Sequence, residues 1–135
     1  MLAIRYFSRT GNTKKMAEIL AKDLGIEAYS IDTPLTKGPA IDKLLLGGGI
    51  YMMSLDKKLT EFAETLKPSQ VKEVVMFGTA GGVGSIEKKL AKVLEKNQIT
   101  VADSRLFLHG LAPGIKNITK HQQKEIFVFA DQVKK

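Results

Sequence analysis

Residues 2–13 read Leu-Ala-Ile-Arg-Tyr-Phe-Ser-Arg-Thr-Gly-Asn-Thr, a short apolar run that leads into a polar loop. Beyond this loop, apolar side chains recur at helical spacing from Met16 to Leu24, and Gly25 ends the pattern. The stretch therefore predicts a strand, a polar loop and a helix that begins near Thr13.

The polar loop has the sequence Ser8-Arg9-Thr10-Gly11-Asn12-Thr13. It places three hydroxyls, one side-chain amide and one glycine at the start of the predicted helix. Unpaired backbone amides and the positive end of a helix attract anions, and Gly11 lets the backbone approach a ligand closely. An ordinary helix cap needs only one Ser, Thr or Asn. This run of donors predicts a binding loop for a phosphate dianion.

Strands and helices alternate along the rest of the chain. We predict further strands at 26–31, 44–46, 74–77 and 99–108, and helices with apolar stripes at 55–66, 86–94 and 126–133. The polar residues Asp103, Ser104 and Arg105 interrupt the last of these strands. Ser85 is a candidate cap for the third of the four helices, and Thr119 with Gln122 is a candidate capping box for the last. Residues 32–42 contain two prolines and one glycine, which indicates an irregular crossover.

This alternation predicts a parallel sheet that is covered by helices on both faces. In such sheets a ligand lies outside the carboxyl ends of the strands. The glycine-rich segments 47–51 and 78–84 follow the third and fourth predicted strands. We expect them to form loops at the same edge as the phosphate loop.

The chain has 135 residues, which fits one domain with its own core. Its hydrophobic content of 44% and charged content of 26% are those of a globular protein. It contains no cysteine, so disulfides, thiolate metal sites and thiol catalysis are excluded, and redox chemistry would need a cofactor. The sequence from Met1 shows neither an export signal nor a membrane-spanning stretch, and we expect a cytoplasmic protein without a membrane partner.

The net charge is +7, and much of it comes from lysine pairs spread over several segments. The pairs are Lys14-Lys15, Lys57-Lys58, Lys88-Lys89 and Lys134-Lys135. No run of five like charges occurs, which favours solvated helix faces over a nucleic-acid-binding stripe. The positive field as a whole favours acidic partners.

Other phosphate-binding and catalytic motifs do not occur. The chain has no Gly-x-x-x-x-Gly-Lys-Ser/Thr motif, and no Gly-x-Gly-x-x-Gly opens a helix after the first strand. A response-regulator receiver needs acidic residues where Ser8-Arg9 stands and an aspartate where Gly47-Gly48 stands. His109 and His121 are remote from any carboxylate pair at ligand spacing. We therefore predict neither a metal site nor a catalytic side chain.

The Ser/Thr-x-Thr-Gly-Asn-Thr loop after the first strand resembles the FMN phosphate-binding motif of flavodoxins. The resemblance extends over most of the chain, because 47–51 and 78–82 fall where flavodoxin-like proteins carry their second and third flavin loops. It implies a flavodoxin-like α/β three-layer sandwich, with a five-stranded parallel sheet of order 2-1-3-4-5, as one domain over residues 1–135.

The resemblance also implies FMN as the cofactor. It assigns the phosphate to Ser8, Arg9, Thr10, Gly11, Asn12 and Thr13. It assigns the isoalloxazine ring to Ile50, Tyr51, Thr79, Ala80, Gly81 and Gly82. Tyr51 could stack on the ring or pack over the core, and Met52 and Met53 could line the ring edge or fill gaps in the core.

As a function, the resemblance implies electron transfer between redox partner proteins. Flavodoxins that serve as low-potential carriers are typically acidic, whereas this chain is basic, so we expect partners with acidic surfaces. No second domain for NAD(P)H is evident, and reduction would come from a separate protein. The alternatives are a small FMN-dependent quinone or flavin reductase, a flavodoxin-fold interaction module, or a maturation factor similar to the ribonucleotide-reductase activators.

Overall fold

The computed structural model describes residues 1–9, 11–35, 37–50, 55–81, 84–111 and 118–135. Its elements are β1 (Leu2–Phe7), α1 (Asn12–Leu24), β2 (Ala28–Ser30), β3 (Lys43–Gly49), α2 (Lys57–Thr65), β4 (Val74–Thr79), α3 (Glu87–Lys96), β5 (Leu106–Leu108) and α4 (Lys120–Lys134). All paired strands are parallel, and the sheet order is β2-β1-β3-β4-β5. The predicted fold class and strand order are confirmed.

Two apolar layers hold the helices against the sheet. On one face, Met16 of α1 and Ile126 of α4 pack with Ile4 and Leu45. The other face packs α2 and α3 against alternate residues of the same strands, and this layer includes Leu44, Leu46, Leu59, Val74, Met76 and Leu90. Because neighbouring residues of a strand face opposite ways, the apolar runs of β3 and β4 supply both layers.

The buried Arg5 organises the irregular crossover between β2 and β3. Its guanidinium donates hydrogen bonds to the carbonyls of Thr33 and Pro34, each at 2.9 Å, and to that of Ile4 at 3.0 Å. The same group lies 5.2 Å from the centre of the Tyr29 ring. Burial lowers the pKa of Arg5, but an arginine stays charged in proteins. The described residues of 31–42 form no helix, as expected.

Two strands are shorter than predicted. The second strand was expected at 26–31 and covers only Ala28–Ser30. The fifth was expected at 99–108 with an interruption at Asp103, Ser104 and Arg105, and that interruption is confirmed: β5 covers Leu106–Leu108, while Val101 forms only an isolated bridge with Val74. Within this interruption, the Arg105 guanidinium donates to the carbonyl of Ala102 at 2.9 Å.

Four of the glycines expected in loops, Gly47, Gly48, Gly49 and Gly78, lie inside strands, which corrects that prediction. Gly47 and Gly48 belong to β3, and Gly78 belongs to β4. A Cβ at Gly47 would overlap the ring of Phe77, and one at Gly48 would lie 2.5 Å from Cδ2 of Leu59. These glycines therefore make room for large core side chains within the sheet.

Of the two predicted helix caps, the structure confirms the one at α4 and corrects the one at α3. The hydroxyl of Thr119 accepts from the Gln122 amide at 3.1 Å, and the Gln122 side chain accepts from the Thr119 amide at 3.0 Å, so the capping box is confirmed. Ser85, the predicted cap of α3, is not its N-cap: Ile86 holds that position without a side-chain cap bond, and the Ser85 hydroxyl accepts from the Glu87 amide at 3.2 Å one residue earlier. None of the helices within the described ranges is long and apolar enough to cross a membrane.

Candidate functional site

The carboxyl ends of β1, β3 and β4 lie side by side at one edge of the sheet. Phe7 is in register with Gly48, and Gly49 is in register with Thr79. The chain leaves these three strands at Ser8, Ile50 and Ala80. The loops expected to bind phosphate and ring therefore begin within a few strand spacings, about 5 Å each, of one another.

The predicted phosphate loop, residues 8–13, leads into the start of α1. Gly11 is the N-cap of α1 and adopts a left-handed conformation with φ of 93°, and no side chain among the described residues caps the helix. Its amide donates to the Ser8 hydroxyl at 3.0 Å. The first helical bond runs from the Lys15 amide to the Gly11 carbonyl, at 3.0 Å. The amides that precede it, from Asn12 onward, have no acceptor within the helix.

The side chains of Asn12 and Thr13 are buried and join α1 to Leu111 and to the end of β4. Asn12 is 5% exposed, and its Nδ2 donates to the Leu111 carbonyl at 2.7 Å. Thr13 is 1% exposed, and its hydroxyl lies 2.8 Å from that of Thr79 at the end of β4. The two side chains therefore hold the helix start in place, and the backbone amides of this turn are the groups that face the loop.

Arg9 links the phosphate loop to the start of α2. Its Nε and Nη2 lie 2.8 and 2.6 Å from Oδ2 of Asp56, 47 residues along the chain. The Asp56 side chain is only 5% exposed, and its Oδ1 accepts from the Lys58 amide at 2.9 Å as the N-cap of α2. Arg9, which the sequence predicted at the phosphate, thus also serves as the cation of a largely buried carboxylate.

Backbone hydrogen bonds connect the remaining loops of this edge. The Ile50 amide donates to the Thr79 carbonyl at 3.3 Å, and the Ala80 amide donates to the Leu108 carbonyl at 2.9 Å. The Leu111 amide in turn donates to the Ala80 carbonyl at 3.0 Å, while Gly81 is exposed. Of the predicted site residues, Thr10, Tyr51 and Gly82 lie outside the described residues, as do Met52 and Met53.

The comparisons with known proteins agree with this geometry. The sequence profile of a family described as flavodoxin domain matches residues 3–110. The chain belongs to this flavodoxin domain family. No curated protein sequence matches the chain.

Solved structures share the flavodoxin fold at low identity. A flavodoxin from the domain Archaea is 21% identical, with a TM-score of 0.66 and 100% of both chains covered. A variant of the Fusobacterium nucleatum flavodoxin bound to flavin mononucleotide is 14% identical, with a TM-score of 0.69 over 98% of this chain and 94% of its own. An NADH:FMN oxidoreductase in apo form is 16% identical, with a TM-score of 0.68 over 98% and 88%.

The residues of this flavodoxin domain fit a flavin phosphate. A Cβ built on Gly11 meets no atom of the described chain within 4 Å, so no described side chain fills the space beside this residue. The first-turn amides and the helix dipole supply partial positive charge there. The buried hydrogen bonds of Asn12 and Thr13 hold that turn rigid, which is what preorganised recognition of an anion requires.

Two residues that form hydrogen bonds at the carboxyl edge of the sheet were not predicted, Asp56 and Leu111. An aspartate before the apolar stripe of α2 is a recognisable N-cap signal, but its pairing with Arg9 has no local signature. The Leu111 carbonyl is a backbone group, and no sequence pattern marks it. Among the described residues, no three His, Asp or Glu side chains are grouped as a metal site requires.

Proposed function

We propose that this flavodoxin domain binds FMN at the carboxyl edge of its sheet and carries electrons between redox proteins. The observation that carries the proposal is the uncapped start of α1 with the left-handed Gly11, in a chain of the flavodoxin domain family. FMN, when bound, would supply the redox chemistry, and the protein would supply binding, orientation and electrostatics.

The phosphate would be held by the backbone amides of the first turn of α1 and by the hydroxyls of Ser8 and Thr10. The ring would lie between Ile50-Tyr51 and the backbone from Thr79 to Gly82. The hydrogen bond from the Ile50 amide to the Thr79 carbonyl supports this assignment, because it keeps the starts of the two ring loops side by side. The buried side chains of Asn12 and Thr13 would act by fixing the helix start.

A phosphate site predicts that FMN binds more tightly than riboflavin. Gly11→Ala should weaken FMN binding at least about tenfold, because Ala is strained at this φ and its methyl group would occupy the space beside this residue. Riboflavin, which lacks the phosphate, should be affected much less. Both affinities can be measured by quenching of flavin fluorescence.

Gly25→Ala is the matched control. Gly25 ends the same helix with φ of 71°, and its Cβ position also meets no described atom within 4 Å. The two variants carry similar backbone strain, but only one lies at the phosphate loop. Equal affinity for FMN and riboflavin, or equal losses of FMN affinity in the two variants, would contradict the proposed site.

A second candidate function is a small FMN-dependent flavin or quinone reductase. The likeness of the fold to an NADH:FMN oxidoreductase favours it. The two functions differ in what the isolated FMN-loaded protein does with NADH or NADPH. A carrier should reduce a soluble quinone with NADH only slowly, whereas a reductase should do so catalytically, which absorbance at the NADH band measures.

A further inference from the structure

Three helices begin with a pair of exposed lysines. Lys14-Lys15 lies in the first turn of α1, Lys57-Lys58 in that of α2 and Lys88-Lys89 in that of α3, and all six residues are exposed. We refer to these six residues as the lysine rim. In the sequence these pairs are far apart: Lys57 follows Lys14 by 43 residues, and Lys88 follows Lys57 by 31 residues.

The fold brings the lysine rim together around the proposed flavin edge. The helices α1, α2 and α3 directly follow β1, β3 and β4, which are neighbours in the sheet. α1 covers one face of the sheet, and α2 and α3 cover the other, so the lysines flank the edge from both sides. The ammonium group of Lys58 lies 6.0 Å from the ring centre of Phe7, the last residue of β1.

The positions of these lysines are unfavourable for the helices themselves. A helix start carries partial positive charge, so first turns favour Asp and Glu over Lys. α1 and α2 have no acidic residue in the first turn. α3 has Glu87, which pairs with Arg105 at 3.0 Å. Stabilisation of the helix starts therefore does not explain why lysines occupy these positions.

We propose that the lysine rim is a docking surface for a protein with an acidic face. This inference rests on the proposed function in one respect, because a partner docked there would lie against the FMN loops. We favour a protein partner over a nucleic acid, because recognition of bases uses arginine forks and stacked aromatic rings, whereas the rim consists of lysines. The one arginine of this edge among the described residues, Arg9, pairs with Asp56.

The test is a titration of the ¹⁵N-labelled protein with a plant-type [2Fe–2S] ferredoxin of negative net charge, followed by amide chemical shifts. We expect the shifts to concentrate in the first turns of α1, α2 and α3. Affinity should fall about tenfold or more as salt rises from 0.05 to 0.2 M, since exposed charges are screened within about 10 Å. Shifts confined to α4 or to the far helix ends would overturn the proposal.

A matched pair of triple variants separates the rim from net charge. The rim variant is Lys14→Glu/Lys57→Glu/Lys88→Glu, and the control is Lys22→Glu/Lys67→Glu/Lys96→Glu, at or just beyond the far ends of the same helices. Each lowers the net charge from +7 to +1. The rim variant should bind ferredoxin at least about tenfold more weakly than the control. Equal losses would show that net charge alone acts.

Two further measurements distinguish this docking surface from a nucleic-acid surface and from the FMN site. A 12-nucleotide single-stranded oligo(dT) that binds the rim more tightly than ferredoxin would overturn the proposal in favour of a nucleic-acid surface. The titration is also run on the protein without flavin. Rim shifts there would support the docking surface even if FMN did not bind, so the two proposals can fail separately.

Discussion

The Asp56 carboxylate both caps α2 and pairs with Arg9, and a single substitution can separate these two roles. One carboxylate oxygen accepts the amide of Lys58 as the cap of α2, and the other takes both donors of Arg9. Asn caps a helix about as well as Asp, so Asp56→Asn retains the cap and removes the ion pair. The arginine side chain is 61% exposed and can return to water, whereas the carboxylate is 5% exposed and cannot.

We therefore predict unequal costs for the two partners. Asp56→Asn should lower the free energy of unfolding by about 1 kcal/mol, and Arg9→Met by roughly 2 kcal/mol, because the latter leaves a buried carboxylate without its cation. The double variant should be more stable than Arg9→Met alone. Urea unfolding followed by circular dichroism gives all three values. Equal costs for the single variants would mean that the carboxylate is well solvated.

At the scale of elements, glycines in β3 leave room for large side chains of the neighbouring elements. The ring of the buried Phe77 in β4 lies over Gly47 of β3, its partner in the register of the sheet. Leu59 of α2 similarly lies over Gly48 on the other face. The glycines weaken the strand locally, but they let a large side chain from the next element approach the backbone.

Gly47→Ala should destabilise the fold by about 1 to 3 kcal/mol, because its methyl group overlaps the Phe77 ring in a closely packed core. In a Phe77→Leu background the same change should cost much less, since the obstructing ring is absent. A double-mutant cycle by chemical denaturation measures this coupling. Additive costs would indicate that backbone conformation, not the ring, makes Gly47 necessary.

At the scale of the whole molecule, the two edges of the sheet carry different charged groups. The carboxyl edge has the lysine rim, while at the amino edge a half-exposed carboxylate pairs with two cationic groups. Asp42 pairs with the amino group of Met1 and, at 3.1 Å, with Lys72. The hydrogen bond from Met1 and then that from Lys72 lower the pKa of Asp42.

This lowered pKa predicts a small contribution to acid sensitivity. The unfolded chain takes up the proton near the ordinary aspartate pKa of about 3.9, before the folded protein does. The contribution of Asp42 is therefore complete above that pH and is lost as the pH falls through its folded pKa. Asp42→Asn should show a shallower fall of Tm between about pH 5 and pH 2. Parallel Tm curves for the two proteins would contradict the prediction.

Much of the fold follows from the sequence because its signals are local. The apolar run of β1, the donors of 8–13 and the stop at Gly25 are adjacent in the chain, and helix starts such as the Thr119-Gln122 box need only one turn. The alternation of strands and helices then restricts the sheet to a few topologies. The resemblance to flavodoxins selects among them.

Tertiary structure alone decided the features that join distant segments. The Arg9–Asp56 pair, the Asn12–Leu111 bond and the fit of Phe77 over Gly47 each connect residues far apart in sequence. The same is true of the lysine rim, which consists of scattered pairs until parallel strands bring three helix starts to one edge. Periodicity in a sequence reports which face of an element is buried, but not which atoms of another element it will meet.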